Sequence, residues 1–245
     1  MKTTTSHQPK VTTPEQWLAA RQELLREEKE LTRLRDRISQ LRRELPWVRL
    51  TKPYTFDSPH GRVSLADLFE GCSQLIVQHF MFGAGWEEGC KSCSFMMDHF
   101  TPSVPHLHAR DVSFAAISNA PLAEILPFKA RMGWAVNWVS AQGTDFNRDF
   151  HVSFTEQELA RGPVDYNYAK RPFPVEEAPG MSVFARDAAG TVYHTYSTYG
   201  RGLDMLMGTY NLLDLVPKGR DETNLEMPME WIRHHDRYEL ATATA

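Results

Sequence analysis

Two cysteines three apart, Cys90 and Cys93, stand in the stretch HFMFGAGWEEGCKSCSFMMDHF at residues 79–100. A pair at this spacing has three possible chemistries. It can cycle between dithiol and disulfide, one thiolate attacking a substrate disulfide and the second thiol resolving the mixed disulfide. It can supply half of a tetrahedral metal site. Or it can be two packed and inert thiols. The surroundings favour the first. An apolar, strand-like run ends near Phe82, a Gly-rich turn GAGWEEG follows, and Cys90 falls where a helix should start, with Cys93 one turn in. The unpaired N–H groups of a helix start stabilise a thiolate, which is the reactive form of the side chain. Cys90 is then the exposed nucleophile and Cys93 the more buried resolving thiol. The local charges temper this. Glu87 and Glu88 oppose a thiolate at Cys90 and Lys91 favours it, so the sequence predicts a moderately activated thiol.

Other side chains compete for roles. A metal site would need histidines to join the cysteines: His99, His106, His108, His234 and His235 are the candidates. No second Cys-x-x-Cys is present, and Pro102 and Pro105 interrupt the segment carrying the first three, so HLH and RHH read more simply as polar surface. Cys72, in EGCSQL, reads as a packed or edge thiol. His79 lies on the strand before the pair and reads as a hydrogen-bonded core histidine. Trp86, four residues before Cys90, fits a cover over the thiol and fits plain packing equally well. The run YHTYSTYGRG alternates, with Tyr193, Thr195, Ser197 and Tyr199 on one face and His194, Tyr196 and Thr198 on the other. So many polar aromatics suggest a lined cleft, because buried Tyr hydroxyls need partners. Tyr196 and the following Arg201 are the substrate-contact candidates on this segment.

The elements that must position these groups are legible in outline. The 245 residues suit one well-cored domain with extensions. Hydrophobic residues at 42%, charged residues at 24% and a net charge of −4 give no electrostatic reason to expect nucleic acid or an anionic membrane as partner. The first residues lack an apolar signal segment, no run reaches the roughly 18 apolar residues of a membrane span, and three cysteines do not make a disulfide scaffold, so a cytoplasmic protein with reduced thiols is expected. Residues 1–13 read as a flexible tail. Residues 14–45 read as a long amphipathic helix in which Trp17, Leu24, Leu31, Ile38 and Leu45 recur every seven positions, joined by Leu34 and Leu41. The stripe fits a homodimeric coiled coil. It fits better a helix laid across its own domain, since Ala20 and Glu27 are poor seam residues. Residues 46–218 alternate strand and helix signals and predict a mixed-sheet α/β domain. Within it, 142–180 reads as an insertion or long loop with a short helix at 156–160, a hairpin turns at 187–190, and GLDMLMGTYNLLDLVP reads as one helix. Residues 219–245 form a C-terminal extension.

Strand, turn and a Cys-x-x-Cys opening a helix resemble the thioredoxin fold, and YTFDSPHGRVSLADLFEG with LIVQHF resembles the entry of peroxiredoxin-type thioredoxin domains. Over residues 14–238 the segments MFGAGWEEGCKSCS, PHLHARDVSFAAISNAPLAEILPFKARMGW, DFNRDFHVSFT, HTYSTYGRGLDMLMGTYNLLDLVPKGRDE and WIRHHDRY are similar to the bacterial thioredoxin-like family called domain-of-unknown-function family 899. Its members are commonly labelled predicted dithiol-disulfide oxidoreductases. The resemblance implies a thioredoxin-like mixed sheet flanked by helices. It implies Cys90 as attacking and Cys93 as resolving thiol, no bound organic cofactor, a disulfide substrate and an external thiol reductant. Three departures from better-known relatives stand out. Ser92 occupies the position of thioredoxin's proline. Glu87 stands where peroxidatic sites carry threonine. Pro179 lies one or two residues early for the proline that usually faces such a dithiol. A non-catalytic binding or redox-sensing module on the same fold is the alternative reading.

Overall fold

Thirty residues without an interior proline or glycine form one helix, α1 (Pro14–Arg43), in the computed structural model, which describes residues 10–239. Thr13 caps it by accepting the Gln16 N–H, Pro14 takes the first helical position where its missing N–H costs nothing, and Arg42 and Arg43 sit in the last turn. No residue of α1 is buried, and Trp17, Leu24, Leu31, Leu34, Ile38 and Leu41 stay exposed along the stripe. The helical unit ends at Pro46 and a second unit starts at Trp47. The tail predicted at 1–13 falls mostly, and the end of the C-terminal extension partly, outside the described residues.

The second unit is built on an eight-stranded sheet. In chain order its strands are β1 (Val48–Arg49), β2 (Thr55–Ser58), β3 (Gly61–Ser64), β4 (Gln74–His79), β5 (Val112–Ser118), β6 (Asn137–Ser140), β9 (Gly180–Arg186) and β10 (Val192–Tyr199). A separate two-stranded ribbon supplies β7 (Val164–Tyr166) and β8 (Ala169–Arg171). Across the sheet the order is β1-β10-β9-β4-β5-β6-β2-β3. β4 and β5 are short apolar runs, which suits central parallel strands covered on both faces. They pair in parallel from Gln74 with Val112 to His79 with Ile117, and β9 pairs antiparallel on the other side of β4. A central strand flanked by a parallel neighbour and an antiparallel hairpin, with helices on the sheet, is the thioredoxin-like arrangement.

Among the described residues six further α-helices follow α1: α2 (Lys91–Met97), α3 (Val104–His108), α4 (Leu122–Arg131), α5 (Phe146–Asp149), α6 (Glu156–Arg161) and α7 (Gly208–Leu213). The sheet separates two cores, and the period of two along β4 assigns its residues to them. Leu75 and Val77 point into one core with Phe56, Phe146, Phe150 and Phe184. Phe80 points into the other, where Trp138 and Met181 meet Cys93, Met96, Ile125 and Phe128 from α2 and α4. No helix among the described residues is long and apolar enough to cross a membrane.

Three local expectations change. The segment 142–180 is not a long loop: it holds α5, α6 and the β7–β8 ribbon, and it drives Phe146, Phe150, Val152 and Phe154 into the first core. Its elements are too short to show a period. Its tightest turn is made by Asn167 and Tyr168, both at positive φ, with no glycine to mark it. The single helix predicted at 202–217 breaks at Met207, whose extended backbone separates a 3-10 segment from α7. Gly208 beside the break lies against the His99 ring, where a Cβ would come within 2.9 Å. The alternation predicted for 193–199 is also interrupted. A bulge at Thr195 puts His194 with Ser197 and Tyr199 over the first core, and Tyr196 and Thr198 on the face that α2 covers.

Phe146 is fully buried and packs edge-on against Tyr54 and Phe56, fastening the 142–180 segment to the sheet. Phe146→Ala should therefore lower stability by about 3–5 kcal/mol in urea unfolding. A loss below about 1 kcal/mol would show that the segment does not depend on this anchor.

Candidate active site

The pair lies at the junction of β4 and α2, held by one residue of the strand's extension. The Cys90 N–H donates to the Met81 carbonyl at 2.9 Å, and the Met81 N–H points at the Cys93 sulfur. Cys90 is the residue before α2, with extended backbone, and its carbonyl accepts both the N–H and the hydroxyl of Ser94 at 2.9 Å. Cys93 is buried, Cys90 is half-buried where an exposed thiol was expected, and both are free thiols. Gln78 Nε2 donates to the Cys93 carbonyl at 3.2 Å from beneath.

These contacts drive the two thiols apart. The Cys93 S–H donates to Cys90; against the effect of burial, the backbone N–H groups of Cys93 and Ser92 and the Ser92 hydroxyl add further donors. Together they bring Cys90 down to about 7. A thiol stabilised by several donors ionises near neutrality, where it is both populated and nucleophilic. Cys93 moves the other way. It gives its proton to the Cys90 contact, is buried, and lies near the negative charges of Cys90 and Glu177, so its pKa is well above the ordinary thiol value.

The charge expectation at this site needs correcting. Glu88 does not act on Cys90 as a free anion. It is paired with Arg131, with Arg237 at 2.6 Å and with His234 Nδ1 at 3.3 Å. Burial alone would raise Glu88, but these partners outweigh it and hold the carboxyl below its usual range. His234 also donates from Nε2 to the Gly89 carbonyl at 2.8 Å, so the RHH segment is not solvated surface at this residue. His235 Nδ1 lies 2.8 Å from Asp98.

The other candidates separate cleanly. Cys72 precedes β4 while the pair follows it, so the length of the strand, roughly 20 Å, lies between them. Its thiol is raised by burial and by the nearby charges of Asp111 and Glu70. His79 is the buried histidine expected, bonded to Asn147 at 3.0 Å and Ser182 at 2.8 Å, and burial brings it down to about 4, so it is neutral. His99 is bonded to Thr209, and His108 lies 3.5 Å from Glu70. Among the described residues no three His, Cys, Asp or Glu side chains converge as a metal site. All their peptide bonds are trans, Pro179 included.

Trp86 folds back on the turn before Cys90, its indole so close to Gly83 that a Cβ there would meet Nε1 at 2.8 Å. Together with Gly83, Ala84, Phe154, Glu156 and Glu177 it lines a cleft of about 560 Å³. Tyr196 shares the sheet face of α2, while Arg201 is exposed and paired with Asp204 at 2.8 Å. One residue near the pair carries no sequence signal. Glu177, whose charge is felt at Cys93, is buried because residues 152–154 pair with 176–178, a contact between segments that have no periodicity of their own.

Fold and site together define a thioredoxin-like α/β protein with an asymmetric Cys-x-x-Cys pair. The chain matches the model of the family described as bacterial protein of unknown function, DUF899, over residues 6–238, and it belongs to that family. Among solved structures it is similar to peroxidoxin BcpB from Mycobacterium tuberculosis, with 15% identity, a TM-score of 0.43 and coverage of 67% of this chain and 94% of that one. It is also similar to peroxiredoxin Q from Xanthomonas campestris, with 11% identity, a TM-score of 0.41 and coverage of 63% and 86%. No curated protein matches it.

Ser92 supplies Cys90 with two donors, of which a proline would remove the N–H. The alkylation rate of Cys90 should rise with pH through a midpoint near 7, as thiolate replaces thiol. Ser92→Ala deletes the hydroxyl donor and should move that midpoint up by roughly one unit, the equivalent of a charge-assisted hydrogen bond. An unmoved midpoint would remove Ser92 from the activation of Cys90.

Proposed function

We propose that the protein is a thiol-disulfide oxidoreductase in which Cys90 attacks and Cys93 resolves. The observation that carries this reading is the placement of the two thiols, Cys90 half-buried as the residue that opens α2 and Cys93 buried one turn in, an arrangement that lowers the first thiol and raises the second. An exchange enzyme needs that order. The Cys90 thiolate attacks one sulfur of a substrate disulfide, forming a mixed disulfide and expelling the first substrate thiolate. Cys93 then loses its proton and attacks the Cys90 sulfur. The Cys90–Cys93 disulfide forms and the second substrate thiolate leaves. Two electrons pass from the pair to the substrate, and an external thiol reductant restores the dithiol. A reducing compartment, the cytoplasm, suits this cycle.

Trp86, Tyr196 and Arg201 are the substrate contacts in this proposal. Trp86 stands on the turn that carries Cys90, Tyr196 on the sheet face that α2 covers, and Arg201 offers an exposed cation at the end of β10. A substrate with an anionic group should lose affinity in Arg201→Ala, seen as a raised KM at unchanged kcat. Unchanged kinetics for anionic and neutral disulfides alike would take Arg201 out of the site.

The reading is tested by disulfide reduction under turnover with excess dithiol. Cys90→Ser should abolish turnover, and Cys93→Ser should accumulate a mixed disulfide at Cys90 detectable by mass. Oxidation of the pair without turnover would instead mark a redox-sensing module.

A further inference from the structure

Residues 231–235 touch α2 along its whole length. Trp231 lies edge-on to Phe95 within the helix, and His235 Nδ1 lies 2.8 Å from Asp98 at its end. At its start, His234 Nε2 donates to the Gly89 carbonyl at 2.8 Å. Ile232, fully buried in the core that α2 and α4 share, fixes the segment that carries these groups. The helix that opens on Cys90 is therefore braced at both ends by a stretch remote in sequence.

The contact at the start of α2 bears on the thiol directly, because Gly89 and Cys90 share one peptide group. Its N–H donates to the Met81 carbonyl at 2.9 Å and its carbonyl accepts from His234, so the unit that delivers Cys90 is held on both sides. A Cβ at Gly89 would come within 2.7 Å of the Phe80 ring and 2.8 Å of the Phe128 ring, so both rings close on this peptide. Phe128 in turn lies edge-on to the His234 ring, with centroids 5.3 Å apart. The second nitrogen of His234, Nδ1, lies 3.3 Å from the Glu88 carboxylate. Arg131 on α4 and Arg237 on the same segment as His234 also hold Glu88, and Arg131 is shared with Asp236. His234 is buried, and both its nitrogens face oxygen. A ring with a proton on each nitrogen satisfies both at once. A buried polar group that loses its partner carries the full cost of its desolvation.

We propose that His234 is the positioning residue of Cys90, an inference that rests on the oxidoreductase reading. It fixes the Gly89–Cys90 peptide so that the sulfur stays where the N–H groups of Ser92 and Cys93 converge on it. It also offsets the charge of Glu88, two residues from the thiol. Without His234 the peptide turns about its remaining bond to Met81, the sulfur leaves those donors, and Glu88 keeps only its two arginines. Each change disfavours the thiolate.

The test reads the thiol itself. The reduced protein, in a Cys72→Ala background, is alkylated with iodoacetamide across a range of pH, and the Cys90 adduct is quantified by mass. His234→Phe keeps a ring against Phe128 and removes both donors. It should move the Cys90 midpoint up by about one pH unit and slow alkylation at neutral pH by about fivefold. His234→Gln, which keeps a neutral donor for the Gly89 carbonyl, should recover part of the loss. Glu88→Gln should move the midpoint down, since the cations that Glu88 offset then act on the thiol. A midpoint unmoved in His234→Phe would overturn the proposal, as would equal slowing at every pH, which marks a structural role alone. If His234→Phe does not fold, an unmoved midpoint in Glu88→Gln overturns it instead. Disulfide turnover of the native protein is measured separately. Its absence, with the midpoint shift present, would remove the oxidoreductase reading and leave His234 as a determinant of Cys90 ionisation.

Discussion

Everything at the site depends on how one negative charge is shared between two sulfurs at the end of β4. Cys90 can hold it because the S–H and N–H of Cys93 and the donors of Ser92 converge on it. Cys93 cannot hold it at the same time, because it is buried beside Cys90 and feels Glu177. Met81 fixes the spacing, accepting the Cys90 N–H with its carbonyl and turning its own N–H toward Cys93. That bracket is as rigid as the strand behind it, and β4 is held on both sides, by β5 in parallel and β9 antiparallel. The central position of β4 is thus the mechanical basis of the ionisation difference.

Residues remote in sequence complete the electrostatics. Two glutamates beside a thiol should suppress its ionisation, yet Glu88 is tied to Arg131 on α4 and to His234 and Arg237 near the C-terminus. The C-terminal segment is itself fastened to α7, since Glu222 accepts from the Tyr210 hydroxyl at 2.6 Å and from Trp231 Nε1 at 2.7 Å. The extension is therefore part of the site's charge balance. Behind the sheet a second set of polar groups runs from Glu177 through Asn119 and Asn147 to His79, Ser182, Ser197 and His194, each bonded to the next. Buried polar groups joined in this way stay satisfied without water and hold one another in place.

What the sequence showed depended on the range of the interaction. The strand, turn and helix around Cys90 are local, and their order, the burial of Cys93 and the hydrogen-bonded core role of His79 were readable from apolar runs and glycine spacing. The 30-residue helix was readable from its heptads. The bulge at Thr195 was not, because one extra residue reverses every later side chain without changing composition. The pairing of Glu88 was hidden because its partners lie 43, 146 and 149 residues away. Glu177 was hidden for the same reason: its burial comes from pairing with 152–154, and a glutamate in a Pro-rich stretch reads as surface.

The central claim is that Cys90 and Cys93 are a reversible two-electron couple with unequal thiols. It is tested most directly by equilibrium titration of the native protein in a graded dithiol–disulfide buffer, with the cysteines mapped by mass spectrometry at each poise. The account predicts one two-electron transition that joins Cys90 to Cys93 and reverses on reduction, with Cys72 reduced throughout. A pair that stays reduced at every poise, or a disulfide that includes Cys72, would contradict it.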